Sequence, residues 1–94
     1  MPYYDWDEAK NEKLKEERNI SFEEVVEAII SGNTLDSFAH PNQKKYLNQK
    51  IAIVEINKYA YIVAYLETEE KFFLKTIYPN REATKKYIIE RNKR

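Results

Sequence analysis

Residues 72–81 read Phe72-Phe73-Leu74-Lys75-Thr76-Ile77-Tyr78-Pro79-Asn80-Arg81 and bring a cation and a phenol to one strand end. The pattern predicts an apolar strand, a Pro-Asn turn, and a helix beginning at Arg81 with Asn80 as its cap. Free amide N–H groups at a helix start attract anions, and arginine adds a planar, permanently charged fork that matches phosphate. A cation at a helix start is electrostatically misplaced unless an anion visits. The chemistry that suits this corner is phosphate handling.

Metal-free RNA cleavage needs a base to activate the ribose 2′-hydroxyl, a cation to stabilise charge building on the phosphate, and an acid to protonate the leaving 5′ oxygen. Arg81 is the candidate for the phosphate. Lys75 interrupts an apolar strand; it either pairs with Glu67 or Glu55 across the sheet or joins the phosphate site. Tyr78 is a candidate acid or stacking platform, against plain packing at a strand end. His40 is the only histidine; its type titrates near neutrality, and it precedes a proline close to two lysines. Glu67 is a candidate base if a neighbouring cation orients it. Lys44, Lys45, Lys85 and Lys86 suit phosphate contacts, which would make RNA binding salt-dependent. Tyr61, with Tyr59 and Tyr65, either stacks on bases or packs under helices.

The elements that must position these groups read as an α+β domain spanning residues 1–94. Residues 1–4 are an extended lead-in. Asp5 or Asp7 can cap a first, mostly polar helix through about Arg18, and Asn19 suits a left-handed stop. Ser21 and Glu24 form a capping box. Phe22, Val25, Val26, Ile29 and Ile30 then make one apolar stripe, closed by the chain's only glycine, Gly32. From Asn33 the period changes to two. A short strand over Thr34 to His40 is followed by a polar loop, then strands over 50–57, 59–67 and 71–78 with turns at Asn57-Lys58 and Glu69-Glu70. A closing helix spans Arg81 to Arg91. The order predicts two N-terminal helices, an antiparallel meander of three or four strands, and a C-terminal helix, with the helices on one face of the sheet.

The 94 residues carry no net formal charge, but residues 1–36 hold ten acids against four bases, and residues 37–94 hold twelve bases against six acids. The acidic part suits a basic partner and the basic part suits nucleic acid; equally, Glu- and Lys-rich helices are often only solvated faces. No cysteine is present, so disulfides and thiolate zinc sites are excluded, and a single histidine excludes a multi-histidine metal site. No signal peptide or membrane-spanning apolar run is evident, so a cytoplasmic location is expected.

Tyr4-Asp5-Trp6-Asp7-Glu8-Ala9-Lys10-Asn11, Ile20-Ser21-Phe22-Glu23-Glu24 and Pro79-Asn80-Arg81-Glu82-Ala83-Thr84-Lys85-Lys86 resemble, in order, the opening, second-helix entry and strand-to-helix junction of BrnT-type toxins, a group within the RelE-like toxins. The likeness is specific at both ends and weak in the middle. The family's Lys-His-Gly between its first helices is replaced here by Glu17-Arg18-Asn19, and the segment from His40 to Tyr46 is closer to a related subgroup. The resemblance implies a metal-free, cofactor-free ribonuclease of a bacterial toxin–antitoxin pair. It implies neutralisation by a ribbon–helix–helix antitoxin that covers the active face, with oligomers formed through that antitoxin. Of the family's site residues only Arg81 carries over. A non-catalytic RNA- or protein-binding module on the same fold is the alternative reading.

Overall fold

The structure, a computed structural model, describes residues 3–90. Its order is β1 (Tyr3–Trp6), α1 (Glu8–Arg18), α2 (Phe22–Ile30), β2 (Thr34–Ala39), β3 (Gln49–Ile56), β4 (Tyr59–Glu67), β5 (Lys71–Pro79) and α3 (Arg81–Thr84), which widens into a π-helical turn over Lys85–Ile89. The fold is α+β, as the sequence predicts, with two differences. The sheet has five strands in the order β1-β5-β4-β3-β2. It is mixed, because the lead-in forms β1 and runs parallel to β5, Tyr3 opposite Lys71 and Trp6 opposite Leu74. The predicted end of the closing helix, Arg91, lies outside the described residues.

The second difference concerns the layers. Ala52, Val54 and Val63 pack with Leu14, Phe22 and Val25 of α1 and α2. Ile51, Ile53, Ala60, Ile62 and Ala64 pack with Ala83 and Ile88 of the C-terminal helix. The helices therefore cover both faces of the sheet and not one. The sequence signal is the unbroken run Ile51-Ala52-Ile53-Val54, all buried, which reads as a strand covered on both sides.

Local chemistry explains the element boundaries. Asp7, not Asp5, caps α1, accepting from the Ala9 and Lys10 N–H groups at 2.9 and 3.3 Å. Asn19 ends the helix in the left-handed region at φ 54. Ser21 Oγ accepts from Glu24 N–H at 3.2 Å. At the far end of α2 the Asn33 and Gly32 N–H groups donate to the Ala28 and Ile29 carbonyls, a Schellman closure around Gly32 at φ +83. Asn57 and Lys58 both have positive φ, 54 and 65, as a type I′ hairpin requires.

Asn11 joins α1 to α2. It is fully buried. Its Oδ1 accepts from Phe22 N–H at 2.8 Å, and its Nδ2 donates to Glu23 at 2.6 Å and to Glu8 at 3.2 Å. Trp6 stacks on Phe22 with ring centroids 5.8 Å apart, and Lys71 Nζ donates to Asp5 at 3.0 Å. The bond from Asn11 lowers the Glu23 pKa, and the bond from Lys71 lowers that of Asp5. A carboxyl more acidic folded than unfolded stabilises the fold above the ordinary carboxylate range, and that contribution is lost as pH falls through the folded pKa. The urea midpoint is accordingly expected to be flat near neutrality and to fall below about pH 4. Lys71→Met should shallow that fall, and an unchanged slope would refute the Asp5 contribution.

Candidate nucleic-acid interface

The sheet is interrupted at Lys75. Ala64 lies opposite Thr76 and Tyr65 opposite Leu74, so Lys75 is an extra residue on β5 with no cross-strand partner. A bulge of this kind bends the strand and re-aims one side chain. It also shifts the strand's parity, so that Leu74 and Ile77 both join the core under α1 and α2. β1 stops opposite Leu74, which leaves Lys75–Pro79 as an open edge. Arg18 covers part of it, donating from Nη1 to the Ile77 carbonyl at 2.6 Å.

Two adjoining grooves border this edge. The larger, about 410 Å³, is lined by Asp7, Lys10, Tyr46, Gln49, Phe73 and Lys75, with Thr76. The smaller, about 180 Å³, is lined by Lys10, Lys13, Glu17, Arg18 and Thr76. They share Lys10 and Thr76. Among the described residues Lys10, Lys13 and Lys75 have no carboxylate partner, whereas Lys15, Lys50 and Lys71 are paired with Glu12, Glu67 and Asp5. Lys75 makes neither of its two predicted pairs; its Nζ lies 5.3 Å from the Phe73 ring centroid. A surface that keeps several cations unneutralised attracts a polyanion.

The loop between β2 and β3 forms the opposite wall and is held by its own hydrogen bonds. Gln43 Nε2 donates to the His40 carbonyl at 2.7 Å and to the Gln49 carbonyl at 3.2 Å, and Gln43 Oε1 accepts from Asn48 N–H. His40 Nδ1 accepts from Asn42 N–H at 3.0 Å, which assigns its proton to Nε2. The His40 ring lies 4.3 Å from that of Tyr46. His40 thus reaches the groove through Tyr46; Lys44 and Lys45 are exposed on the same loop, and Lys45 Nζ lies 5.3 Å from the Tyr46 ring.

Arg81 begins α3 and is exposed, and its side chain has no hydrogen bond or ion pair among the described residues. It lines neither groove. The helix start is also a weaker anion attractor than the sequence suggests: α3 has only four α-helical residues, and Asn80 Oδ1 already takes the Ala83 N–H at 2.7 Å. Tyr78, 40% exposed, stands beside Ile62 on β4. Lys85 and Lys86 are exposed on the π-helical turn.

Two candidates are displaced. Glu67 forms a salt bridge with Lys50 at 3.0 Å. It shares a strand face with Tyr65 and Val63, which pack toward α1 and α2, so strand alternation turns it from the groove side carrying Gln49. Tyr61 lies on that same helix-covered face, half-buried against the core and edge-on to Tyr59 at 6.0 Å, away from the groove side. Conversely, sequence reasoning passed over Lys10, Lys13, Tyr46, Gln49 and Phe73. Lys10 and Lys13 look like any solvated helix face. Only the fold shows that they border a strand edge.

Among the described residues no group of three or more His, Asp or Glu side chains could hold a metal ion. No described helix is long and apolar enough to cross a membrane. Comparison with protein-family models, with curated proteins and with solved structures finds no match to this chain.

Proposed function

We propose that this protein is a metal-independent endoribonuclease of the BrnT-like toxin class, acting in the bacterial cytoplasm by cutting RNA and so inhibiting translation. The observation that carries the reading is the bulge that lifts Lys75 out of the ladder into a groove where Lys10 also lacks a carboxylate. Strand geometry places Pro79 about 13 Å along β5 from Lys75, so Lys75 and Arg81 serve different phosphates. Lys75 and Lys10 hold the strand, and Arg81 neutralises the phosphate that is cut. The 2′ hydroxyl gives its proton to water, the 2′ oxygen attacks phosphorus, the P–O5′ bond breaks, and the 5′ oxygen takes up a proton as it leaves. The exposed Tyr78 hydroxyl, two residues before Asn80, is the group available to supply that proton; His40 bonds to Gln49, six residues or about 20 Å along β3 from the level at which Asn80 bonds to Ala60, and belongs to the other end of the groove. A protein antitoxin of the ribbon–helix–helix kind would cover this surface, burying exposed apolar side chains such as Leu47 (70%) and Ile89 (49%).

The test is incubation of the purified protein with messenger RNA in the presence of a chelator. The expected result is fragments ending in 2′,3′-cyclic phosphate, and growth arrest when the protein is expressed alone. The second reading, an RNA-binding module without catalysis, is favoured by one observation: Glu67 is committed to Lys50, and Asp7, the carboxylate that lines the groove, is committed to capping α1. Salt-sensitive binding without cleavage would establish that reading. Absence of both binding and cleavage would dismiss both.

A further inference from the structure

We infer that the larger groove is a nucleobase slot, with Tyr46 as its stacking platform and the Gln49 side-chain amide as the group that reads the base edge. The inference rests on the RNA-directed reading above and names the part of the RNA that this groove takes.

Three observations converge. The loop carrying Tyr46 is tied by Gln43 to the His40 and Gln49 carbonyls and to Asn48 N–H, and by Asn42, whose carbonyl and Oδ1 accept from Tyr46 N–H at 2.9 Å and Lys45 N–H at 3.2 Å. The ring is further braced by His40 at 4.3 Å. So much local bonding fixes one half-exposed aromatic ring in place before any ligand arrives, which lowers the ordering cost of stacking.

The second observation is the amide. Gln49 uses its backbone in the loop and in the β3–β4 ladder, yet its side chain has no hydrogen bond among the described residues and lines the groove. A primary amide offers a donor beside an acceptor, which matches the N6 and N7 edge of adenine. The third is the surrounding charge. Lys75 and Lys10 line the same groove, and Lys45 Nζ lies 5.3 Å from the Tyr46 ring, all without a carboxylate partner. A base on Tyr46 would have its own phosphate within reach of these ammonium groups.

The groove's volume, about 410 Å³, falls in the range that holds one small ligand and not a folded helix.

Binding of short single-stranded RNA homo-oligomers, followed by fluorescence anisotropy across a salt series, tests the assignment. The wild type should prefer oligoadenylate. Tyr46→Ala should weaken binding by about five- to a hundred-fold, the range for one stacked base, without changing the salt slope. Tyr46→Phe should keep the affinity, which separates stacking from a folding defect. Gln49→Ala should bind all homo-oligomers alike. Lys75→Ala should instead lower the salt slope by about 0.7, the share of one phosphate on a single strand. Wild-type binding that Tyr46→Ala and Gln49→Ala leave unchanged in strength and base preference would overturn the slot while leaving the RNA-directed reading standing. No RNA binding by the wild type at all would remove both.

Discussion

Asn11→Ala is expected to cost about 2–3 kcal/mol of folding stability. The side chain is fully buried at the α1–α2 junction. Truncation strands the Phe22 N–H, which now donates to Asn11 Oδ1 at 2.8 Å. A buried donor left without an acceptor loses its solvation in full, where a paired bond contributes only about 1 kcal/mol net. It also removes the 2.6 Å donor to Glu23 that lowers that carboxyl's pKa. For a domain of this size the melting temperature should drop by roughly 10–20 °C. Asn11→Asp provides the discriminating arm. It keeps an acceptor for Phe22 N–H but sets a third carboxylate beside Glu8 and Glu23. Its deficit should exceed that of Asn11→Ala at neutral pH and shrink as the carboxylates protonate below about pH 4. Urea unfolding of both variants at two pH values decides it; a loss under about 0.5 kcal/mol for Asn11→Ala would mean that water replaces the side chain without penalty.

Asn11 shows why the N-terminal pattern was readable only in part. A helix cap at Asp7, a stop at Asn19 and the Ser21-Glu24 box are rules of near neighbours, so the chain displays them directly. The hairpin at Asn57-Lys58 and the alternation of β3 and β4 are equally local. What the chain does not display is pairing across distance. β1 is four residues long and its partner begins at Lys71, so neither periodicity nor turn chemistry marks it as a strand. The candidate site failed to read for the same reason. Counting in twos along β5 assigns Lys75 a face and a cross-strand partner, but the bulge removes both. In sequence Tyr46 is one more loop residue; its neighbours' hydrogen bonds, which hold it in place, exist only in the fold.

Replacing Arg81 separates chemistry from scaffold most cleanly, because nothing in the described fold depends on it. The side chain is exposed and makes no hydrogen bond or ion pair among the described residues, so Arg81→Ala should leave stability within about 0.5 kcal/mol of wild type. The helix start itself is held by Asn80 and by Thr84, whose Oγ1 accepts from Ala60 N–H at 2.9 Å, and neither contact involves the guanidinium. Under the ribonuclease reading, the phosphate gains negative charge as the 2′ oxygen attacks, and loss of the one group that can fork across two of its oxygens should slow cleavage by about 10²–10³-fold. RNA affinity should fall far less, since Lys75, Lys10 and the loop lysines remain. Arg81→Lys retains the charge but not the fork and should recover only part of the rate. Single-turnover cleavage and equilibrium binding on the same RNA separate these effects. Equal losses in both would make Arg81 an ordinary phosphate contact, and an unchanged cleavage rate would move the scissile phosphate away from α3 toward Lys75.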